Sequence, residues 1–132
     1  MKVEYRVNAP LRVEEVASLL ESSGIRRPLR DLERLKLMME NSNLIISAWV
    51  GEKLVGLARA LTDFGYCCYL SDLAVRREFQ KKGIGRELVH RLQVLLGDKV
   101  MILLLSSPEA VRYYPKIGFT RVENAWSIAR KQ

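Results

Sequence analysis

Histidine occurs once in this chain and cysteine twice, and that scarcity removes whole classes of chemistry. A zinc site takes Cys, His or carboxylate ligands at set spacings, and no pairing of Cys or His at such a spacing is present. The lone His90 falls on the polar side of an amphipathic run, so a Cys-His nucleophile lacks its parts. Cys67 and Cys68 are adjacent within a strand-like stretch, where neighbouring side chains point to opposite faces; they read as small buried residues, not as a disulfide. No apolar run approaches the roughly 20 residues that span a bilayer. The start, Met1-Lys2-Val3-Glu4-Tyr5, carries no apolar core of a signal peptide. The expectation is a chain without metal or membrane span, working in the cytoplasm.

What is present fits a single folded domain over residues 1–132, with 48% hydrophobic and 28% charged residues. Lys and Arg number 22 against 15 acids, a net charge of +7 that suits a strongly anionic ligand. The same charge would suit a nucleic-acid-binding module, an alternative that the pattern disfavours. Arg26-Arg27, Arg30, Arg76-Arg77, Lys81-Lys82 and Arg130-Lys131 are scattered, and no stacking aromatics are interleaved with them.

In chain order, Val3, Tyr5 and Val7 alternate with Lys2, Glu4 and Arg6, which predicts a strand with one wet face. Val13, Val16, Leu19 and Leu20 predict a helix ending at Gly24, and Leu29, Leu32, Leu35, Met38 and Met39 a second one after Pro28. Residues 44–50 and 54–61 form a hairpin around Gly51-Glu52-Lys53, and a turn at Asp63-Phe64-Gly65 leads into a third antiparallel strand, residues 67–75. Ile84, Leu88, Leu92, Leu95 and Leu96 give a helix stopped by Gly97. The apolar run at 100–105 predicts a buried strand parallel to 67–75, completing a β-α-β unit. Ser107-Pro108 opens a last helix that Pro115 closes early, and strands follow at 119–122 and 126–129.

Between the strand and its helix lies Gln80-Lys81-Lys82-Gly83-Ile84-Gly85. The first turn of a helix has unpaired N–H groups and the positive end of the dipole, so it binds anions. Gly83 and Gly85 let a diphosphate approach the backbone and permit positive φ, while Lys81, Lys82 and Arg86 add positive charge. A Walker loop is excluded because Arg86-Glu87 follows Gly85 where Lys-Ser or Lys-Thr is needed. A dinucleotide fingerprint is excluded because Leu88 holds the place of its third glycine.

Gln-x-x-Gly-x-Gly directly after Leu73-Ala74-Val75 resembles the acetyl-CoA loop of the GNAT superfamily of N-acetyltransferases. The run from Ala110 through Tyr113-Tyr114-Pro115 to Gly118-Phe119 is similar to that family's Ala-x-x-Phe-Tyr-x-x-x-Gly-Phe ending, departing at Pro115. The element order β-α-α-β-β-β-α-β-α-β-β also matches, so the resemblance implies an α/β fold: a mixed, mostly antiparallel sheet with a central parallel strand pair.

The resemblance further implies acetyl-CoA as co-substrate and transfer of acetyl to a primary amine, on a small molecule or a peptide, by direct attack in a ternary complex. Leu73, Ala74 and Val75 would offer main-chain groups to the pantetheine amides. Residues Gln80, Lys81, Lys82, Gly83, Ile84, Gly85 and Arg86 would hold the diphosphate. Ser107 stands where an Asn commonly bonds the arm, and Tyr114 would protonate the leaving thiolate. An alkylamine with pKa near 10.4 is about one part in a thousand neutral at pH 7, so a base is needed. Asp72, in the strand beside the expected thioester, is the best-placed carboxylate in sequence. The acceptor side would be formed by residues 22–32 and 122–126, with Arg26, Arg27 and Arg30 hinting at an acidic acceptor. A non-catalytic acyl-CoA sensor is the alternative, and the chain is read as a monomer or homodimer.

Overall fold

The computed structural model describes residues 1–132, and its architecture is one five-stranded sheet with helices on both faces. Strands β1 (Glu4–Val7), β2 (Leu44–Val50), β3 (Lys53–Thr62), β4 (Cys67–Val75) and β5 (Met101–Leu103) lie in that order across the sheet. The first three pairings are antiparallel, β2–β3 and β3–β4 through short turns and β1–β2 across the two-helix segment, and β4 with β5 is parallel through a helical crossover. Helices α1 (Val13–Ser23) and α2 (Leu32–Glu40) cover one face, and α3 (Ile84–Leu96) the other.

Each face has its own core because strand side chains alternate. Ile46, Ala48, Val55, Ala58, Cys68 and Leu70 meet Ile84, Leu88, Val89 and Leu92 of α3. Ile45, Trp49, Leu54, Leu57 and Ala74 meet Val16, Leu19, Leu20 and Leu35 of α1 and α2. Gly24 closes α1 in the left-handed region at φ 84°, and the Asp31 side chain caps α2 by accepting from the Arg34 N–H at 3.1 Å. That cap places the start of α2 after the expected Leu29. Asp63 holds the β3–β4 turn by accepting from the N–H groups of Gly65, Tyr66 and Cys67, which bring its carboxyl down to about 2.

One side-chain pattern crosses the sheet. Arg59 pairs with Asp72 but its neighbour Ala60 pairs with Leu70, so Ser71 is an extra residue, a bulge in β4. The bulge reverses which face later residues meet. Cys68 and Leu70 point to α3 before it, and after it Leu73 and Val75 do so while Asp72 and Ala74 turn to α1 and α2.

The fold class holds and the chain departs from expectation after β5. That strand is shorter than 100–105, and the last helix is replaced by two 3-10 turns, Pro108–Ala110 and Tyr114–Ile117. Pro115 supplies no N–H and in an α-helix its ring would clash with the carbonyl of Val111, so no α-helical ladder propagates through 108–117. No strands form at 119–122 or 126–129, where Trp126 and Ile128 are almost fully exposed and burial offers nothing to hold an extended pair. Cys67 is also exposed, and only Cys68 is buried.

On α3, Leu88 is fully buried while Leu95, nearer the end of the helix, is 48% exposed. Leu88→Ala is expected to lower unfolding free energy by about 2–5 kcal/mol in urea titration. Leu95→Ala is expected to stay within about 0.5 kcal/mol.

Candidate functional site

The parallel pairing of β4 with β5 covers only Cys67, Cys68 and Tyr69 opposite Met101, Ile102 and Leu103. Beyond Tyr69, β4 continues to Val75 paired with β3 alone, so its other edge faces a gap. Antiparallel residues alternate in the direction of their main-chain groups. Arg76 N–H donates to Val55 of β3, which by that alternation turns Ala74 to β3 as well and turns Ser71, Leu73 and Val75 to the gap. The carbonyl of Ser71 accepts from Arg27 Nη2 at 2.7 Å and that of Val75 from Gln80 Nε2 at 2.9 Å. Leu73 is left with both main-chain groups toward the gap.

At the end of β4 a 3-10 turn, Arg77–Phe79, delivers the chain to the glycine loop. None of the backbone N–H groups of residues 81–86 donates to another atom of the protein. Lys81 has φ 64° and Gly83 φ 85°, and a Cβ built on Gly83 would meet nothing within 4 Å. The loop therefore presents free N–H groups and the positive end of α3 side by side, an arrangement whose chemistry suits an anion. Gly85 differs from expectation: it lies inside α3 without positive φ, and a Cβ on it would stand 2.5 Å from the Tyr113 hydroxyl. Its small size admits that side chain.

A cleft of about 510 Å³ joins these parts. Of the residues singled out in the sequence, Leu73, Val75, Gln80, Lys81, Gly83, Ile84, Gly85, Arg86 and Tyr114 line it. Ala74, Lys82, Ser107 and Asp72 do not. Phe79, Ala110, Tyr113, Lys116 and Ile117 also line it and were not anticipated; Tyr113, next to Tyr114 in a helical turn, was the one with a signal. Arg86 donates to the Lys116 carbonyl at 2.7 Å, tying α3 to the turn that carries Tyr114. A larger groove of about 820 Å³ is walled by β5, the end of α3 and residues 111–125. It shares only Tyr114 and Ile117 with the cleft and has none of the free N–H groups of residues 81–86.

Tyr114 is held edge-on between Tyr113 and Phe119, with ring centroids 5.4 and 5.5 Å away. Burial pushes its phenol up, neighbouring Tyr113 adds to that, and the Arg27 guanidinium pulls it back. Tyr113 is likewise raised by burial and lowered by Arg86. Both remain proton donors at neutral pH.

Asp72 is not a base in this geometry. The bulge turns it to the α1–α2 face, its side chain is 1% exposed, and its oxygens accept from Arg27 Nε and Arg59 Nε, each at 2.6 Å. No Asp, Glu or His lines the cleft. No cluster of metal-ligating side chains exists and His90 is exposed on α3.

A family model described as an acetyltransferase (GNAT) domain matches residues 22–127. A protein of Pyropia yezoensis described as an uncharacterized N-acetyltransferase, ycf52, is 32% identical over 91% of this chain and 74% of its own length. Across relatives so described, the chain spans 61% to 74% of their length. Among solved structures, a GNAT-family acetyltransferase of Streptococcus pneumoniae superposes with a TM-score of 0.78 at 22% identity, covering 98% of this chain and 100% of that one. The aminoglycoside N-acetyltransferase AAC(6')-Iy, solved with CoA, gives 0.72 at 16% identity over 99% and 96% of the two chains. At those identities the structural matches speak for the fold.

Gly85→Ala is expected to destabilise the protein, because its new methyl meets the Tyr113 hydroxyl, and Tyr113→Phe is expected to relieve the clash. Thermal and urea unfolding of the two single variants and the double variant should give a coupling of about 1 kcal/mol.

Proposed function

The chain belongs to the GNAT family of acetyltransferases, and on that premise we propose that it moves an acetyl group from acetyl-CoA to a primary amine by direct attack in a ternary complex. The observation that carries the reading is the parting of β4 from β5 beside a loop whose N–H groups 81–86 have no partner. The loop suits the diphosphate, with Lys81 and Lys82 adding charge at its rim. Leu73, both of whose main-chain groups face the gap, suits a pantetheine amide as an added strand would. Ala74 is committed to β3 and Ser107 lies away from the cleft, so both leave the proposed contact set.

The chemistry asks little of side chains once the reactants are held. An amine lone pair attacks the thioester carbonyl in near-attack geometry, and a main-chain N–H at the gap stabilises the oxyanion. Tyr114 donates its phenolic proton to the departing thiolate; burial raises its pKa and so keeps the proton available at neutral and mildly alkaline pH. With no carboxylate or imidazole in the cleft, the amine's own proton leaves to water. The proposed acceptor is an amine on a small molecule or a peptide, and the cytoplasm is the proposed compartment. The fold neighbour AAC(6')-Iy, an aminoglycoside N-acetyltransferase, supports amines as the acceptor class. No helix is long and apolar enough to cross a membrane.

Calorimetric titration with acetyl-CoA, then a panel of amines and peptides followed by release of free thiol, tests the proposal. Absence of both binding and transfer overturns it. Tyr114→Phe is expected to lower kcat about tenfold or more with little change in the acetyl-CoA KM. For an amine with pKa near 10.4, kcat/KM is expected to rise about tenfold per pH unit from pH 6 to 9. A plateau within that range would show a base supplied by the enzyme.

A further inference from the structure

Tyr113 lines the cleft but has no part in the acyl transfer itself. It stands at the Phe of the Ala-x-x-Phe-Tyr ending and adds a hydroxyl to it. Its ring meets Tyr114 edge-on, with centroids 5.4 Å apart, and the residue is 38% exposed, so the cleft can reach it. The hydroxyl lies 2.5 Å from the point where a Cβ on Gly85 would stand, and that point is 3.9 Å from Val75 Cγ2. A helical Cα–Cβ bond tilts toward the helix N-terminus. The hydroxyl therefore sits at the corner where the end of β4 meets the first turn of α3, beside the free N–H groups of residues 81–86.

The polar groups gathered at this corner are donors. The N–H groups of 81–86 donate to no protein atom, and neither Lys81 nor Arg86 enters an ion pair. The Arg86 guanidinium is anchored on the uncharged carbonyl of Lys116, so its charge is not cancelled. Burial raises the pKa of the Tyr113 phenol against the pull of Arg86, which leaves it a donor too, and no hydrogen bond within the protein takes its proton. Such a set of donors is complemented by an anion with several oxygens. Resting on acetyl-CoA as the co-substrate, we propose that the Tyr113 hydroxyl is a further binding group, donating to a phosphoryl oxygen of the diphosphate at the start of α3. Gly85 then keeps open the space through which that hydroxyl reaches the phosphate. The adjacent tyrosines divide the carrier between them, Tyr114 acting at its sulfur and Tyr113 at its diphosphate.

The test titrates the wild-type chain and Tyr113→Phe, which keeps the ring, with three probes: acetyl-CoA, S-acetylpantetheine, which has no phosphate, and inorganic pyrophosphate. Tyr113→Phe is expected to raise the Kd of acetyl-CoA about tenfold, as loss of a hydrogen bond to a charged group would. Pyrophosphate should weaken by a similar factor, and S-acetylpantetheine by less than about twofold. In steady-state assays the loss should fall on the acetyl-CoA KM and not on kcat, the reverse of the split expected for Tyr114→Phe. Unchanged acetyl-CoA affinity overturns the proposal, since a hydroxyl that is merely wet by solvent would give that result. An equal loss for S-acetylpantetheine overturns it as well, because the contact would then be to the arm or to packing. Wild-type chain that binds acetyl-CoA but transfers acetyl to no amine refutes the transfer reading alone, and the Kd comparison still decides Tyr113. Wild-type chain that binds pyrophosphate but not acetyl-CoA refutes the co-substrate, and the pyrophosphate comparison then decides Tyr113.

Discussion

One extra residue in β4 governs where everything else in the site can be. Without the bulge at Ser71, strand alternation would place Asp72 on the same face as Leu70, against the apolar side of α3. With it, the carboxylate goes to the opposite face, where two guanidinium groups meet it, and Leu73 and Val75 take the α3 face. The ion cluster and the bulge hold each other. Arg59 bonds both Asp72 and the Ser71 hydroxyl, and Arg27 bonds both Asp72 and the Ser71 carbonyl. A buried carboxylate without these partners would be costly, so the geometry with the bulge is the one in which the charge is satisfied.

From that kink follows the separation of strands. The short β5 keeps only three pairs with β4 before the two diverge, and the divergence leaves main-chain groups that a neighbouring strand would otherwise complete. The crossover enters α3 with its free N–H groups next to the same gap. Two different kinds of unmet hydrogen-bonding capacity, one from a parted ladder and one from a helix start, become neighbours through chain topology alone. A long ligand with amides in its arm and a diphosphate behind them meets both at once.

Much of this was legible in the order of residues. The bounds of β2, β4 and α3 follow from apolar periodicity, and the glycine loop is recognisable from its place between strand and helix. Asp72 was not, because its role is set by Arg59 and Arg27, 13 and 45 residues away, and by a bulge that local pattern does not announce. Gly85 was half legible: its smallness matters, but for the Tyr113 hydroxyl and not for backbone conformation. After Leu103 the pattern misleads in a different way. Val122, Trp126 and Ile128 look like strand residues, yet a strand needs a partner to satisfy its ladder, and periodicity says nothing about whether one is in place.

The absence of a base from the cleft then ceases to be a gap in the machinery. A carboxylate placed there would be attracted to the free N–H groups and to Lys81, and would compete with the diphosphate for them. Keeping the cleft free of acids preserves its attraction for phosphate. The attraction of the cleft for an anion thus follows from a distribution of charge that the bulge in β4 sets up by sending its one carboxylate to the other side of the sheet.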